Sequence, residues 1–173
     1  MILARCDAVN IQARSRGEAL TVRKIEPLVY AADQFAMLVR GMVEKQGVKL
    51  VMIDSTSGYK LAMKKEKLAD HLHVLCKYLR NMGVTTLLVT ELGNITGDFR
   101  ASENGISYLA DNIIFLRYLE IQGEMKKAIG VLKKRLSDFE KTLREFEVTG
   151  NGLKIGEPMR RLKGILRGEP HWV

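Results

Sequence analysis

The chain has 173 residues, long enough for one domain with a buried core. Apolar residues make up 46% of it and charged residues 28%, which excludes an intrinsically disordered chain. A net charge of +8 and a pI of about 9.6 leave two readings open, a polyanion-facing patch and a basic surface of no special purpose. Cys6 and Cys76 form neither a disulfide framework nor a metal-binding spacing, and they fit a reducing, cytoplasmic compartment. No apolar run approaches the roughly 18–20 residues of a membrane span. Arg5, Asp7 and Asn10 interrupt the apolar N-terminal stretch, so no signal-peptide core is expected there.

In chain order, Ala19 to Val22 is a short strand candidate. From Asp33 to Gln46 the residues Phe35, Leu38, Val39, Met42 and Val43 recur at helical spacing, with Asp33 as N-cap and Gly47 as stop. Val48 to Asp54 is a short apolar run ending in a carboxylate, the pattern of a parallel strand buried on both faces. Leu68, Leu72, Leu75, Leu79 and Met82 predict a second helix ended by Gly83, and Val84 to Thr90 a second buried strand. Strand, helix and strand with such short connections make a parallel βαβ unit.

Leu92 to Ser107, rich in Gly, Asn, Ser and Asp, is expected to be a loop long enough to be functional. Asn112 to Glu120 reads as a strand, with Gly123 turning the chain into another over Ala128 to Leu132. Leu143 to Val148 and Leu153 to Ile155 flank Thr149-Gly150-Asn151-Gly152, a hairpin pattern. The expected organisation is a single partial domain over residues 1–173. Residues 1–91 form its α/β core, 92–108 a loop, and 109–173 antiparallel strands and a tail that Trp172 packs down. His71 and His73, two apart on a helix, point some 200° from each other and cannot chelate one metal together.

Several of these blocks resemble one family. Leu50-Val51-Met52-Ile53-Asp54-Ser55 matches the hhhhDS form of the Walker B strand in KaiC-type and RadA-like ATPases of the RecA superfamily. Ala110 to Tyr118 resembles that family's strand after the central loop. Gly123-Glu124 with Ala128 to Arg135 resembles its RGE…RAI…hhK-x-R block, and Leu143 to Val148 followed by Gly152 its REFEIT…G hairpin. The resemblance implies a RecA-like (P-loop NTPase) α/β fold with a parallel sheet, N-terminally truncated, and an antiparallel β-hairpin extension in the C-terminal half. It also implies ATP and Mg²⁺ as ligands.

No G-x-x-x-x-G-K-[ST] occurs in these residues. In the family that loop's amides cradle the phosphates, its Lys neutralises them and its hydroxyl binds Mg²⁺. The family's water-activating Glu-Glu pair lies just before the segment that Ile2 to Cys6 resembles. The expectation is that the chain does not hydrolyse ATP alone, being either a piece of a longer product or completed by a partner. A sheet lacking the P-loop strand beside Val84–Thr90 is expected to close up on itself or to be filled by a partner chain, and the protein to self-associate.

By the same resemblance Asp54 holds Mg²⁺ through water, with Ser55 either beside it in the site or merely capping the turn. Thr90 and Glu91 sit where the superfamily has a polar γ-phosphate sensor, although any strand end tends to be polar. Lys133 and Arg135, expected to alternate on one strand face, correspond to a pair that reaches the neighbouring subunit's ATP. The alternative is a solvated edge strand. Leu136 and Phe139 stand where the family often has Gly and His. Ser107-Tyr108 falls at the phosphorylated Ser-Thr pair of clock KaiC, but no autokinase chemistry is expected without a P-loop. The partners implied are further copies of this chain or KaiC-like subunits. The rival functions are a non-enzymatic module that docks on full-length KaiC-like subunits and a RadA-like DNA-binding protein, the latter suggested only by the basic charge.

Overall fold

The computed structural model describes residues 20–26, 29–61, 68–91, 106–160, 162–165 and 171–172. The chain divides into two compact units. The first carries helix α1 (Ala32–Gln46), strand β1 (Leu50–Asp54), the short helix α2 (Thr56–Leu61), helix α3 (Leu68–Asn81) and strand β2 (Thr85–Val89). The second carries β3 (Asn112–Ile121), β4 (Glu124–Lys134), β5 (Arg144–Thr149), β6 (Gly152–Pro158), β7 (Leu162–Lys163) and β8 (His171–Trp172).

In the first unit β1 and β2 pair in parallel, from Leu50 beside Thr85 to Asp54 beside Val89. The leucine stripe of α3 turns inward as its spacing requires, with Leu68, Leu72, Leu75 and Leu79 all buried. Leu75 and Leu79 meet Val39 and Val43 of α1 over Val51 and Ile53 of β1. Tyr59 of α2 joins Leu68, Leu72 and Ile106 in an adjoining cluster, its ring edge-on to Phe35 with centroids 5.1 Å apart.

Helix α1 starts earlier than expected. Its N-cap is Ala31, whose N–H donates to Gln34 Oε1 at 3.0 Å, because Ala32 is already buried against Tyr59 and Leu72. Asp33 instead lies in the first turn, where a carboxylate suits the positive end of the helix. Gly47 closes the helix at φ 66°, a left-handed conformation that costs a residue with a Cβ about 1–2 kcal/mol.

Three other expectations fail, one of them the burial of β2, whose residues are exposed or half-buried throughout. Residues 20–22 form no strand, and Ala19 lies outside the described residues. Strand β1 is buried on one face only: Val51 and Ile53 are covered by α1 and α3, whereas Leu50 and Met52 are 53% and 58% exposed. Leu87, the register partner of Met52, is exposed beside them. An apolar run cannot itself say whether a second layer covers it. Among the described strands β2 pairs with β1 alone.

The second unit is an antiparallel sheet in the order β3-β4-β5-β6. The β3–β4 hairpin turns at Gln122-Gly123, and the β5–β6 hairpin at Gly150-Asn151, where the Thr149 hydroxyl donates to the Gly152 carbonyl at 2.9 Å. Strand β4 outruns its expected bounds because its lysines find partners. Lys126 Nζ lies 3.4 Å from Glu145 Oε1, and Lys127 Nζ lies 5.8 Å from the centre of the Tyr118 ring. Leu119, Ile121, Ala128 and Ile165 form the core of this unit. Strands β7 and β8 pair as Leu162 with Trp172 and Lys163 with His171.

Gly130 is fixed by packing. A Cβ there would run into Leu143 Cδ2 and come within 2.7 Å of Phe115 Cε1 and Cζ. Gly130→Ala is therefore expected to cost about 1–3 kcal/mol through overpacking, read as a lower urea midpoint. An unchanged midpoint would show that Phe115 and Leu143 yield freely.

Candidate functional site at the strand ends

Parallel pairing brings the C-terminal ends of β1 and β2 side by side, and with them Asp54, Ser55, Thr90 and Glu91. Asp54, Thr90 and Glu91 are exposed and Ser55 is half-buried. The Asp54–Ser55 peptide is cis. An apolar strand thus delivers a carboxylate to solvent at its end, while Val51 and Ile53 hold the strand down. Thr56 was not singled out in the sequence. It is the first residue of α2, it is fully buried, and its Oγ1 lies 3.1 Å from Thr90 Oγ1. A Thr after Asp-Ser looks like any turn hydroxyl, and only the fold shows that it is enclosed.

Lys133 and Arg135 belong to the second unit. They do not alternate along one strand, since β4 ends at Lys134, opposite the first residue of β3. Beyond that pair the ladder has no partner strand. The register slips between Ile113 and Ile114, so Lys133 pairs with Ile113 but Val131 with Ile114. Arg135 sits in a bend, its N–H donating to the Asp111 carbonyl at 3.0 Å and its guanidinium 3.4 Å from Asp111 Oδ1. Both side chains of this ion pair are nearly half exposed, so opening it costs about 0–1 kcal/mol.

A cleft of about 500 Å³ between α1 and α3 is lined by Met37, Arg40, Val74, Leu75 and Tyr78, and it includes none of the strand-end residues. On its rim Glu44 accepts from Arg40 Nε at 2.8 Å and from the Tyr78 hydroxyl at 3.1 Å. The Arg40 hydrogen bond holds the Glu44 carboxyl below its ordinary pKa. A depressed carboxylate stabilises the fold above its unfolded pKa, and that contribution is lost as pH falls through the folded one. In an NMR titration the Glu44 midpoint is expected below that of exposed glutamates and to return to their range in Arg40→Gln. Equal midpoints in the two proteins would refute the pairing.

His71 faces Asp33 with Nδ1 3.9 Å from Oδ1, and the His73 ring lies 5.9 Å from that of Tyr108. The two histidines thus have separate surroundings. Cys76 is a half-buried thiol whose burial pushes its pKa up. Cys6, and Ile2 to Cys6 as a block, lie outside the described residues.

The family profile described as "ATPase: KaiC" matches residues 4–160. The chain belongs to the KaiC ATPase family. It is 30% identical over 141 residues to the circadian clock protein KaiC3 of a Synechocystis species, covering 82% of this chain and 28% of that protein. It is 30% identical over 120 residues to the circadian clock oscillator protein KaiC of Synechococcus elongatus, covering 69% of this chain and 23% of that one. The chain therefore spans about a quarter of the length of these KaiC relatives. A solved KaiC-like protein from the hyperthermophilic archaeon Pyrococcus horikoshii superposes with a TM-score of 0.73, at 23% identity, over 86% of this chain and 65% of that one. The RecA-like α/β fold is thereby established, with the parallel βαβ unit and the antiparallel hairpins both in place.

A KaiC-family ATPase uses nucleotide and Mg²⁺, and the strand ends are chemically suited to such a pair. Magnesium prefers oxygen ligands and keeps several waters, needing only one or two carboxylates beside substrate phosphates. Asp54 supplies one exposed carboxylate, with Thr90 and Ser55 hydroxyls nearby in sequence or register. Among the described residues no group of three or more His, Cys, Asp or Glu could hold a metal. A site with one or two carboxylates, completed by water and phosphate, requires none. No described helix is long and apolar enough to cross a membrane.

Proposed function

We propose that this chain contributes the magnesium-holding wall of a KaiC-type ATP site, together with the cationic arm that reaches a neighbouring subunit's nucleotide, and that it does not hydrolyse ATP alone. The observation that carries the reading is the placement of Asp54, exposed at the end of β1 beside the end of β2, within the family's hhhhDS pattern. Asp54 holds a Mg²⁺-bound water and Ser55 stands beside it, while Thr90 and Glu91 face the terminal phosphate. The phosphate cradle and the water-activating Glu pair are not encoded in these 173 residues. A KaiC-like subunit that carries a phosphate-binding loop completes the site.

Lys133 and Arg135 serve that subunit's ATP in trans, where positive charge stabilises the transferring phosphoryl group. Arg135 reaches outward only when it leaves Asp111. Asp111→Asn is therefore expected to strengthen, by about two- to fivefold for an exposed pair of this kind, any stimulation of a partner's ATPase by this chain. Stimulation that is unchanged in Asp111→Asn and in Arg135→Ala would remove Arg135 from the arm.

The exposed apolar face of Leu50, Met52 and Leu87 favours a second reading, a docking module that modulates full-length KaiC-like subunits without chemistry of its own. Binding of a fluorescent ATP analogue separates the two. With the full-length Synechocystis KaiC3 present, an Asp54-dependent, Mg²⁺-dependent gain in binding supports the site reading. Association of the two proteins with no such gain supports docking alone. Steep salt-dependent binding to single-stranded DNA would instead favour a RadA-like role.

A further inference from the structure

Thr56 is the buried polar side chain among the described residues, with no exposure at all. A hydroxyl enclosed in this way is costly unless it is hydrogen-bonded, by about 1–3 kcal/mol. Its Oγ1 meets Thr90 Oγ1 at 3.1 Å, and either atom can be the donor. The bond ties the segment just after Asp54 to the residue just after Val89, and Asp54 and Val89 are themselves register partners. Thr56 begins α2, whose Tyr59 is buried with Leu68, Leu72 and Ile106, so the Thr56 end of the bond is held by the core. Thr90 lies at the exposed end of β2.

A hydroxyl carries one proton and two acceptor positions. When Thr56 donates, Thr90 keeps its own proton for a group on the solvent side, which suits an anionic oxygen. When Thr56 accepts, Thr90 has spent its proton inward and presents only lone pairs outward. The pair is therefore a two-state rotor whose outward face is a donor in one state and an acceptor in the other. Thr90 is also β-branched, so a partner that fixes its χ1 fixes the direction of its hydroxyl.

We propose that Thr56 is a positioning residue: its buried hydroxyl donates to Thr90, fixes that side chain and leaves the Thr90 proton to a terminal phosphate oxygen of a magnesium nucleoside triphosphate. This rests on the reading of the strand ends as a magnesium–nucleotide site. Thr56 touches neither metal nor nucleotide and acts only through Thr90.

The test uses the full chain as wild type, Thr56→Ser, Thr56→Val and Thr90→Val. The first readout is the χ1 of residue 90 from three-bond couplings, without nucleotide. It is expected to be fixed in wild type and Thr56→Ser and averaged in Thr56→Val. The second is the affinity for methylanthraniloyl-ATP relative to methylanthraniloyl-ADP, with Mg²⁺ and full-length Synechocystis KaiC3 present. The preference for the triphosphate contributed by this chain is expected to fall about tenfold in Thr56→Val, the size of one hydrogen bond to a charged group. It should fall equally in Thr90→Val and be kept in Thr56→Ser. An unchanged χ1, or a preference unaltered by Thr56→Val, overturns the positioning role while leaving the site reading intact. A wild-type chain that adds no triphosphate preference overturns both.

Discussion

Asp54→Ala is expected to abolish the Mg²⁺-dependent part of nucleotide-analogue binding by a mixture of this chain with a KaiC subunit bearing a phosphate-binding loop. The loss should be tenfold or more, because Mg²⁺ bound through so few protein oxygens loses its carboxylate at the end of β1, and Glu91 at the end of β2 is read as facing the terminal phosphate instead. Asp54→Asn should fall between wild type and Ala, since an amide oxygen still accepts from a metal-bound water but carries no charge. The fold should not register the change. Asp54 is exposed and surface substitutions usually stay within about 0.5 kcal/mol, so an unchanged urea midpoint is the internal control. Retained Mg²⁺ dependence in Asp54→Ala, measured by titrating Mg²⁺ at fixed analogue, would move the metal elsewhere.

Leu79→Ala is expected to have the largest effect on stability. Leu79 has no exposure and sits where α1, α3 and β1 converge, against Val39, Val43, Val51 and Ile53. Removing a buried leucine side chain costs the lost transfer free energy plus the cavity left behind, about 2–5 kcal/mol. A domain is typically stable by only about 5–15 kcal/mol, so the first unit should lose much of its margin. Far-UV circular dichroism in urea should show the midpoint falling accordingly. Met52→Thr supplies the contrast: Met52 is more than half exposed on the uncovered face of β1, so its replacement should leave the midpoint nearly unchanged. If the two variants behaved alike, the one-sided packing of β1 would be wrong.

The parts of the fold that rest on periodicity were legible. The four leucines of α3, spaced four, three and four apart, could lie along one helical stripe, and all four are buried. Gly47 and the Thr149 to Gly152 turn end their elements through local backbone chemistry, which is written locally. What depends on distant matter was not legible. Leu50 and Met52 look identical in sequence to residues of a strand covered on both sides, and their exposure follows from a layer that the described residues do not supply. Arg135 lies beyond the strand because β3 begins at Asn112, and only a single backbone bond to Asp111 follows the last pair, a limit set twenty-odd residues upstream.

Asp54 and Thr90 are candidate site residues through likeness to a family, whereas Thr56 carries no such signal in the sequence. Its burial and its contact with a hydroxyl 34 positions away are set by the fold. The approach of the β1 and β2 ends follows from parallel pairing, which the βαβ pattern already implied.

The most direct test is ATP turnover by the purified 173-residue chain in saturating Mg²⁺, followed as released phosphate over hours against a no-protein control. A rate indistinguishable from the control is expected, because the backbone amides and lysine that hold the phosphates are not encoded here. Sustained release that disappears in Asp54→Ala would contradict the proposal, since it would require this chain to cradle the triphosphate with groups of its own.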